Sequence, residues 1–583
     1  MLTTETDPAD DIAPADKPVA AEEPPGRRGP SRYWLLLLLP LVVGGFLRVL
    51  AGTTDDVITT DTSAYLRSGE SIWAGDGFER DGSPELHFPP VTPTLLGGSS
   101  ELFGDPLTGS VMVMIITGTV LLVPLAGIAR LIGGDRAGLA AAWIGALAPA
   151  LVTVPANQGG GSEGPFLLLV LSALWVGLLV AGRRDRWLYV GGAGAGLAVG
   201  LAFLTRPEGI FYAAVLVPLL AGGALGGWAA VRHRRPVAHG GRRAVAATLF
   251  FGLGLAVCVV PYVDYLHTNT GRWELTAKTR DASLDAWRAV AEGDRRARDE
   301  IFYELEGDST SFVAPRFTLA QLVKDDPSGY FAIVGINVRT LASELLGLRF
   351  RPFPVWELLP LPVTALAAWG AWRRWRRRGV ITVLGSVVVA LAVPLAFFVQ
   401  PRYLTPVSAL LCILAGVGLL VVRDRWRRLV GIGTAAALIL SLYAGLGGPR
   451  AFLSTREQLE HRIAGEWLAE NSPEDARVMT RNLVVDYYAD RQMVPMPYSS
   501  LERMIEFARD TGTDYIVIDQ YQLIRQRPQF IGLFFPGPWP GLRLDHEFET
   551  AGRITRIFSL DPPAPPGSNE ELPEDVGFVG DEG

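Results

Sequence analysis

The chain has little cysteine: two in 583 residues, Cys258 and Cys412, each inside an apolar run. That argues against a disulfide framework and against a cysteine-based metal centre. No Walker loop, dinucleotide fingerprint or strong metal-ligand cluster is found, so nothing points to nucleotide-dependent chemistry. No internal repeat is visible. The net charge is −7, but the charges are sorted by region. Acids sit in the first 30 residues, the loops and the C-terminal third, and arginines cluster in short loops. No basic face for nucleic acid can be drawn from that distribution. Hydrophobic residues, by contrast, make up 49% of the chain, and the mean hydropathy is +0.25.

Apolar runs of ~20 residues recur, each long enough to cross a ~30 Å hydrocarbon core. They fall at 33–52, 110–132, 137–156, 164–182, 187–204, 209–230, 244–263, 353–372, 380–399, 403–422 and 429–447. The pattern predicts about eleven transmembrane helices. The first run is too long and starts too late for a signal peptide, and no small-x-small cleavage site follows it. Arginine-rich loops at 27–32, 130–136, 183–186, 232–243, 373–378 and 423–428 alternate with loops poor in Lys and Arg. The positive-inside rule then predicts a multi-pass plasma-membrane protein with a cytoplasmic N-terminus and an outer C-terminus. This count requires segment 330–350, with Asn337, Arg339, Ser343 and Glu344, to be interfacial or re-entrant.

The expected organisation is mainly α. Residues 1–30, rich in Pro, Ala, Asp and Glu, form a disordered cytoplasmic tail. A membrane domain spans 31–449, with outer loops at 53–109 and 264–351. In the second loop Trp273, Trp287 and Tyr303 are expected at the headgroup level. From Arg450 the composition changes. Helical periodicity over 457–470 and 501–509, and buried-strand patterns at 477–480, 515–519 and 553–559, predict a small extracytoplasmic α/β domain over 450–560. The acidic, Pro-rich 561–583 is a second disordered tail.

The residues that could carry chemistry gather at the outer membrane edge. Asp61 and Tyr65, four residues apart, would share one face of a short helix. A carboxylate placed there could take a proton from an acceptor hydroxyl or amine. It could equally be an N-cap in Thr60-Asp61-Thr62-Ser63, with Asp55 and Asp56 as competing acids. His87 opens the turn His87-Phe88-Pro89-Pro90, and Glu163 begins the fourth span. Arg48 lies near the outer end of the first span, Arg206 at the outer end of the fifth, and Arg402-Tyr403 opens the tenth. Such arginines can snorkel to the interface. Ionisable groups at membrane depth also carry a functional hypothesis, and arginine offers bidentate contacts to phosphate.

The order of these motifs is Leu47-Arg48, Asp61-x-x-x-Tyr65, His87-Phe88-Pro89-Pro90-Val91-Thr92-Pro93, Ser162-Glu163-x-x-Phe166, Leu204-Thr205-Arg206-Pro207-Glu208-Gly209, then Arg402-Tyr403-x-x-Pro406. Over about residues 33–450 this resembles the GT-C glycosyltransferases, in particular the bacterial branch of the protein O-mannosyltransferase and aminoarabinose transferase superfamily. The resemblance implies Asp61 as base and Arg206 and Arg402 as holders of the donor phosphate. Tyr65, His87, Glu163, Tyr403 and Arg48 are the further substrate-binding candidates. Protein mannosyltransferases typically pair Asp with Glu in this loop, whereas Thr62 follows Asp61 here. Aminoarabinose transferases tend to carry Glu-Lys-Pro-Pro where this chain has His87-Phe88-Pro89-Pro90. The sugar and the acceptor are therefore left open.

The expected activity is inverting transfer of a sugar, a hexose or an aminopentose, from a polyprenyl-phosphate donor to an extracytoplasmic acceptor. The acceptor could be protein, lipid or envelope glycan. No nucleotide is required, and a divalent metal at Asp61, His87 or Glu163 stays compatible with the residues. A transporter or flippase of lipid-linked glycans shares the many spans and outer arginines, but the paired repeats of such proteins are not visible. A non-catalytic scaffold presenting the C-terminal domain is the third reading.

Overall fold

Each of the eleven apolar runs forms helix over most of the length described in the computed structural model. That description covers residues 30–52, 57–156, 161–225, 240–277, 284–306, 309–310, 323–346, 359–445, 459–520, 525–550 and 552–561. Of the two expected tails, residues 1–29 and 562–583, and likewise Asp55 and Asp56, lie outside the described residues.

Among the described residues, seven helical stretches are long and apolar enough to cross a bilayer: Arg32–Gly52, Pro106–Gly133, Glu163–Val180, Pro207–Ala224, Gly240–Thr270, Arg378–Ala396 and Arg402–Val421. The other four predicted spans fall short for identifiable reasons. Trp187–Phe203 is apolar but only 17 residues long. The run at 137–156 breaks into Asp135–Leu147 and Pro149–Ala156. Ala148 is extended there (φ −68°, ψ 121°), as a residue preceding proline prefers. Leu361–Arg374 has 14 residues, and Asp424–Gly445 opens on Asp424, Arg425, Arg427 and Arg428. Of segment 330–350, the described residues 330–346 belong to the helix Pro327–Leu346. It is not among the seven, and Asn337 ties it to the end of another helix by donating to the carbonyls of Leu395 (3.1 Å) and Phe397 (3.0 Å).

Thr405–Val421 is the best-buried of the seven. It packs on Leu361–Arg374, Asp135–Leu147 and Leu122–Gly133. Gly370 and Gly418 permit the first of these contacts, because a Cβ on either would run into the facing backbone.

Above the bundle, helix Thr60–Ala74 is capped by Thr59, whose Oγ1 accepts from the Thr62 amide at 3.3 Å. A short hairpin pairs β1 (Glu79–Arg80) with β2 (Ser83–Pro84). Helix Val91–Phe103 then returns against Thr60–Ala74, with Gly69 facing Gly97 where neither tolerates a side chain. The second outer loop contributes Leu284–Glu292, Arg295–Tyr303 and the two-residue pair β3 (Leu305–Glu306) with β4 (Ser309–Thr310).

The C-terminal part is a five-stranded mixed sheet of β5 (Arg477–Thr480), β6 (Gln492–Pro495), β7 (Tyr515–Asp519), β8 (Leu542–Thr550) and β9 (Arg553–Leu560). Its order is β6-β5-β7-β9-β8, parallel across β6-β5-β7 and antiparallel across β7-β9-β8. On one face Met504, Phe507 and Phe530 pack with Ile516, Ile518 and Phe558. On the other, Ala464, Leu468, Val485 and Ala489 pack with Val478, Val517 and Ile557. The apolar pattern predicts the inner strands β5, β7 and β9. The outer strands β6 and β8 lie at the sheet edges, and β8 reads Leu-Arg-Leu-Asp-His-Glu-Phe-Glu-Thr, a polar run natural at a sheet edge.

This sheet unit is not a detached appendage. Leu483 and Val484 join Val57, Ile58, Tyr65, Phe88, Leu96 and Met114 in one buried cluster. Arg67 Nη1 reaches Asp490 at 2.6 Å, and the Tyr487 hydroxyl donates to Glu70 at 2.6 Å. In the second loop, Asp299 accepts from Arg481 (2.7 Å) and Arg527 (2.6 Å). Of the three aromatics expected at the headgroup level, only Trp273 is exposed. Trp287 is buried edge-to-face against Phe397, and Tyr303 lies beneath the guanidinium groups of Arg481 and Arg527. The loop folds over the bundle and under the sheet, and the aromatics fill those contacts.

Candidate active site

A cavity of about 360 Å3 lies where the loop segments 57–109 and 264–306 meet the bundle. Asp61, Tyr65, His87, Glu163, Arg206, Arg402 and Tyr403 all line it. Seven of the eight candidate residues, drawn from positions more than 340 apart in sequence, therefore converge on one space. Much of the remaining wall is apolar, including Phe166, Phe211, Val393, Phe397 and Phe398.

Asp61 is the second residue of its helix rather than the cap, which is Thr59. Its carboxylate Oδ2 accepts from Arg402 Nη1 at 3.0 Å. Tyr65 lies one turn further along the same helix face. Burial first, and the nearby Asp61 charge second, push its hydroxyl pKa far above the ordinary range. It therefore stays neutral, with Ser162 hydrogen-bonded to its hydroxyl. Arg206 precedes the 3-10 turn Pro207–Tyr212 and is held by two acids. Its Nη1 donates to Glu163 at 2.9 Å and its Nε to Glu208 at 2.6 Å. Tyr403 links the two arginines: the guanidinium carbons of Arg206 and Arg402 lie 4.9 and 5.1 Å from its ring centre.

His87 reaches the cavity because Glu85 shapes its turn. The buried Glu85 Oε1 accepts from the backbone amides of His87 (2.7 Å) and Phe88 (3.0 Å). Oε2 is met by Ser68 (3.1 Å) and Arg80 (3.3 Å). His87 also stacks edge-to-face on Phe88, whose ring in turn meets Tyr65.

Arg48 is the candidate that does not join. It lies fully buried inside the bundle and donates from Nη1 to the Gly44 carbonyl at 2.9 Å. Gly118 leaves room for its side chain, since a Cβ there would meet Arg48 Nε. It neither lines the cavity nor snorkels to the surface, because its helix face points inward. Asp61, His87 and Glu163 share the cavity but are not a ligand trio. Among the described residues their ligand atoms do not come within reach of one ion, and Arg402 and Arg206 already pair the two acids.

Sequence reasoning missed Glu85 and Arg298, and it gave no role at the site to Ser162 and Glu208, which stand in the quoted motifs, or to Trp287; all five line or shape the site. Glu208 carried a signal, standing two residues from Arg206 in the same turn. Glu85 and Arg298 carried none, because only the folding of their loops brings them inward.

The fold is that of the GT-C glycosyltransferases, a polytopic membrane architecture. Residues 87–252 match the family model described as dolichyl-phosphate-mannose-protein mannosyltransferase. Comparison with curated proteins finds no match. Among solved structures, the chain is similar to ArnT from Cupriavidus metallidurans bound to undecaprenyl phosphate. That match has a TM-score of 0.50 and 12% identity, covering 90% of this chain and 97% of the other. It is also similar to the apo Archaeoglobus fulgidus oligosaccharyltransferase, with a TM-score of 0.52, 15% identity, and 84% and 70% coverage. The complex of the latter enzyme with Zn and sulfate gives 0.54, 16%, 83% and 68%. At these identities the likeness is one of fold.

Proposed function

We propose that this chain is an inverting membrane glycosyltransferase that moves a sugar from a polyprenyl-phosphate donor to an acceptor outside the cytoplasm. The observation that carries the reading is the pair Asp61–Arg402 at the mouth of a largely apolar cavity, beside the Glu163–Arg206–Glu208 cluster. The match at residues 87–252, and the undecaprenyl phosphate held by the similarly folded ArnT, support the same class.

In this reading the donor's phosphate takes the guanidinium of Arg402, with Arg206 beside it, and the prenyl chain lies along the apolar wall. The acceptor's oxygen or nitrogen attacks the anomeric carbon from the face opposite the phosphate. The anomeric C–O bond breaks, the electron pair leaves with the phosphate, and Asp61 takes the acceptor's proton. Phosphate and Asp61 then compete for Arg402. Arrival of the donor phosphate at Arg402 would release the Asp61 carboxylate from that hydrogen bond. Tyr65 and His87 orient the sugar or acceptor.

Mannose or another hexose, or an aminopentose, suits this chemistry equally, and protein, lipid and envelope glycan remain alternative acceptors. The test is direct: the purified chain is incubated with defined polyprenyl-phosphate sugars, and release of polyprenyl phosphate is measured. Envelope glycans of a deletion strain are compared by mass spectrometry. Movement of labelled donor across liposomes without release of polyprenyl phosphate would sink the transferase reading in favour of a flippase.

The mechanism also needs the cavity and the sheet unit on the outer side. Single cysteines at the exposed positions Ala74 and Ser500, in a chain with Cys258 and Cys412 replaced, should label with an impermeant thiol reagent in intact spheroplasts. Protection of either site would overturn the orientation.

A further inference from the structure

A second group of potential ligands lies in the sheet unit, away from the cavity. Glu460 and His461 occupy the first turn of helix Leu459–Asn471, and Asp519 ends β7. All three are buried, and one ligand atom from each lies within 4.8 Å of the others. His461 Nε2 is 3.3 Å from Asp519 Oδ2. Arg553 Nη1 stands 3.5 Å from Glu460 Oε1.

Glu460 is the anomaly. It is 1% exposed, yet among the described residues neither carboxylate oxygen accepts a hydrogen bond. A buried charged carboxylate without such contacts is costly, and a cation is one of the few partners that removes the cost. Arg553 Nη1 stands beside Glu460 Oε1, an arrangement that can orient a ligating carboxylate.

From this geometry we infer that Glu460, His461 and Asp519 bind a divalent transition-metal ion, zinc in the first instance. The donor set is one imidazole nitrogen and two carboxylate oxygens, which suits zinc-type ions better than magnesium or calcium. The ion would pin the first helix of the sheet unit to the end of its central strand. That clamp is structural, because the three residues do not line the cavity. It is independent of the proposed transfer chemistry.

The test uses the full chain purified in detergent, stripped of metal, reloaded with Zn2+ and desalted. Elemental analysis should find about one zinc per chain, retained in Asp61→Asn and lost in His461→Gln and Asp519→Asn. Cobalt should enter the same site with visible absorption bands, absent in His461→Gln. Chelation should lower the Tm of the wild-type chain, and zinc should restore it. These wild-type measurements decide the matter even where a variant fails to fold. A wild-type chain with no zinc, no cobalt spectrum and a chelator-independent Tm would overturn the site. Full zinc content in a folded His461→Gln chain would do the same.

Discussion

Two clusters of acid and arginine sit under the sheet unit, and they differ in how far they are sealed. At the cavity, Asp61 and Arg402 keep 12% and 14% of their side chains exposed. In the second outer loop, Asp299, Arg481 and Arg527 keep 1%, 4% and 0%. The sealed trio also has extra anchors, since Arg527 donates to the Met496 (2.6 Å) and Pro497 (2.8 Å) carbonyls. These buried charges are paired with one another across the contact and fasten loop to sheet. The cavity pair faces open space and can exchange one partner for another. Under the proposed function the same residue types would thus do different jobs, with solvent access deciding which.

The strongest break of this comparison is Asp61→Asn. Transfer should fall ~10²–10⁴-fold, the usual range for removing a general base, while the melting temperature stays near wild type. Near-normal turnover by this variant would remove Asp61 from the mechanism.

Asp299→Ala should act in the opposite manner. Leaving two arginines buried without their acid typically costs ~3–5 kcal/mol, seen as a lower Tm or as protease access around 477–560. If Asp299→Ala keeps wild-type stability and loses activity alone, the contrast between a sealed and an exchangeable cluster fails.

Arg206→Ala and Arg402→Ala should weaken donor binding by roughly ten- to over a hundredfold, the equivalent of ~1.5–3 kcal/mol for a charged hydrogen bond. Titration with a polyprenyl-phosphate sugar measures this. Because Arg402 also restrains Asp61, Arg402→Ala should additionally alter the pH profile of any residual transfer, whereas Arg206→Ala should not. Identical profiles would argue that Asp61 and the phosphate do not compete for Arg402.

The smallest effect concerns pH at the contact between sheet unit and outer loop. Asp486 is buried there near Arg67, Arg80, Asp81 and Asp490, and burial pushes its carboxyl up to about 7. The folded chain thus holds a proton that the unfolded chain, with a carboxyl near its ordinary value of 3.8, releases. The contribution of this group is complete below about pH 4 and declines as pH rises through about 7. Tm measured between pH 5 and 8 should fall more steeply in wild type than in Asp486→Asn. Equal slopes would mean that Asp486 is already ionised in the folded chain.

The sequence alone determined the membrane class, the approximate helix positions, the inner strands of the sheet and seven residues that line the cavity. These are legible because they depend on local physics. A ~20-residue apolar run must satisfy its own backbone in lipid, a buried strand reads as a short apolar run, and an ionisable residue at a membrane edge stands out against its neighbours. Tertiary structure decided the rest. Thr59 rather than Asp61 caps the helix, which turns Asp61 toward Arg402. Glu85 bends the His87 turn inward, and Arg48 faces the bundle instead of the cavity. Edge strands β6 and β8 carry too little apolar pattern to be seen before their partners are known. Which arginine pairs with which acid depends on helices hundreds of residues apart meeting at one end of the bundle, and no local pattern encodes that meeting.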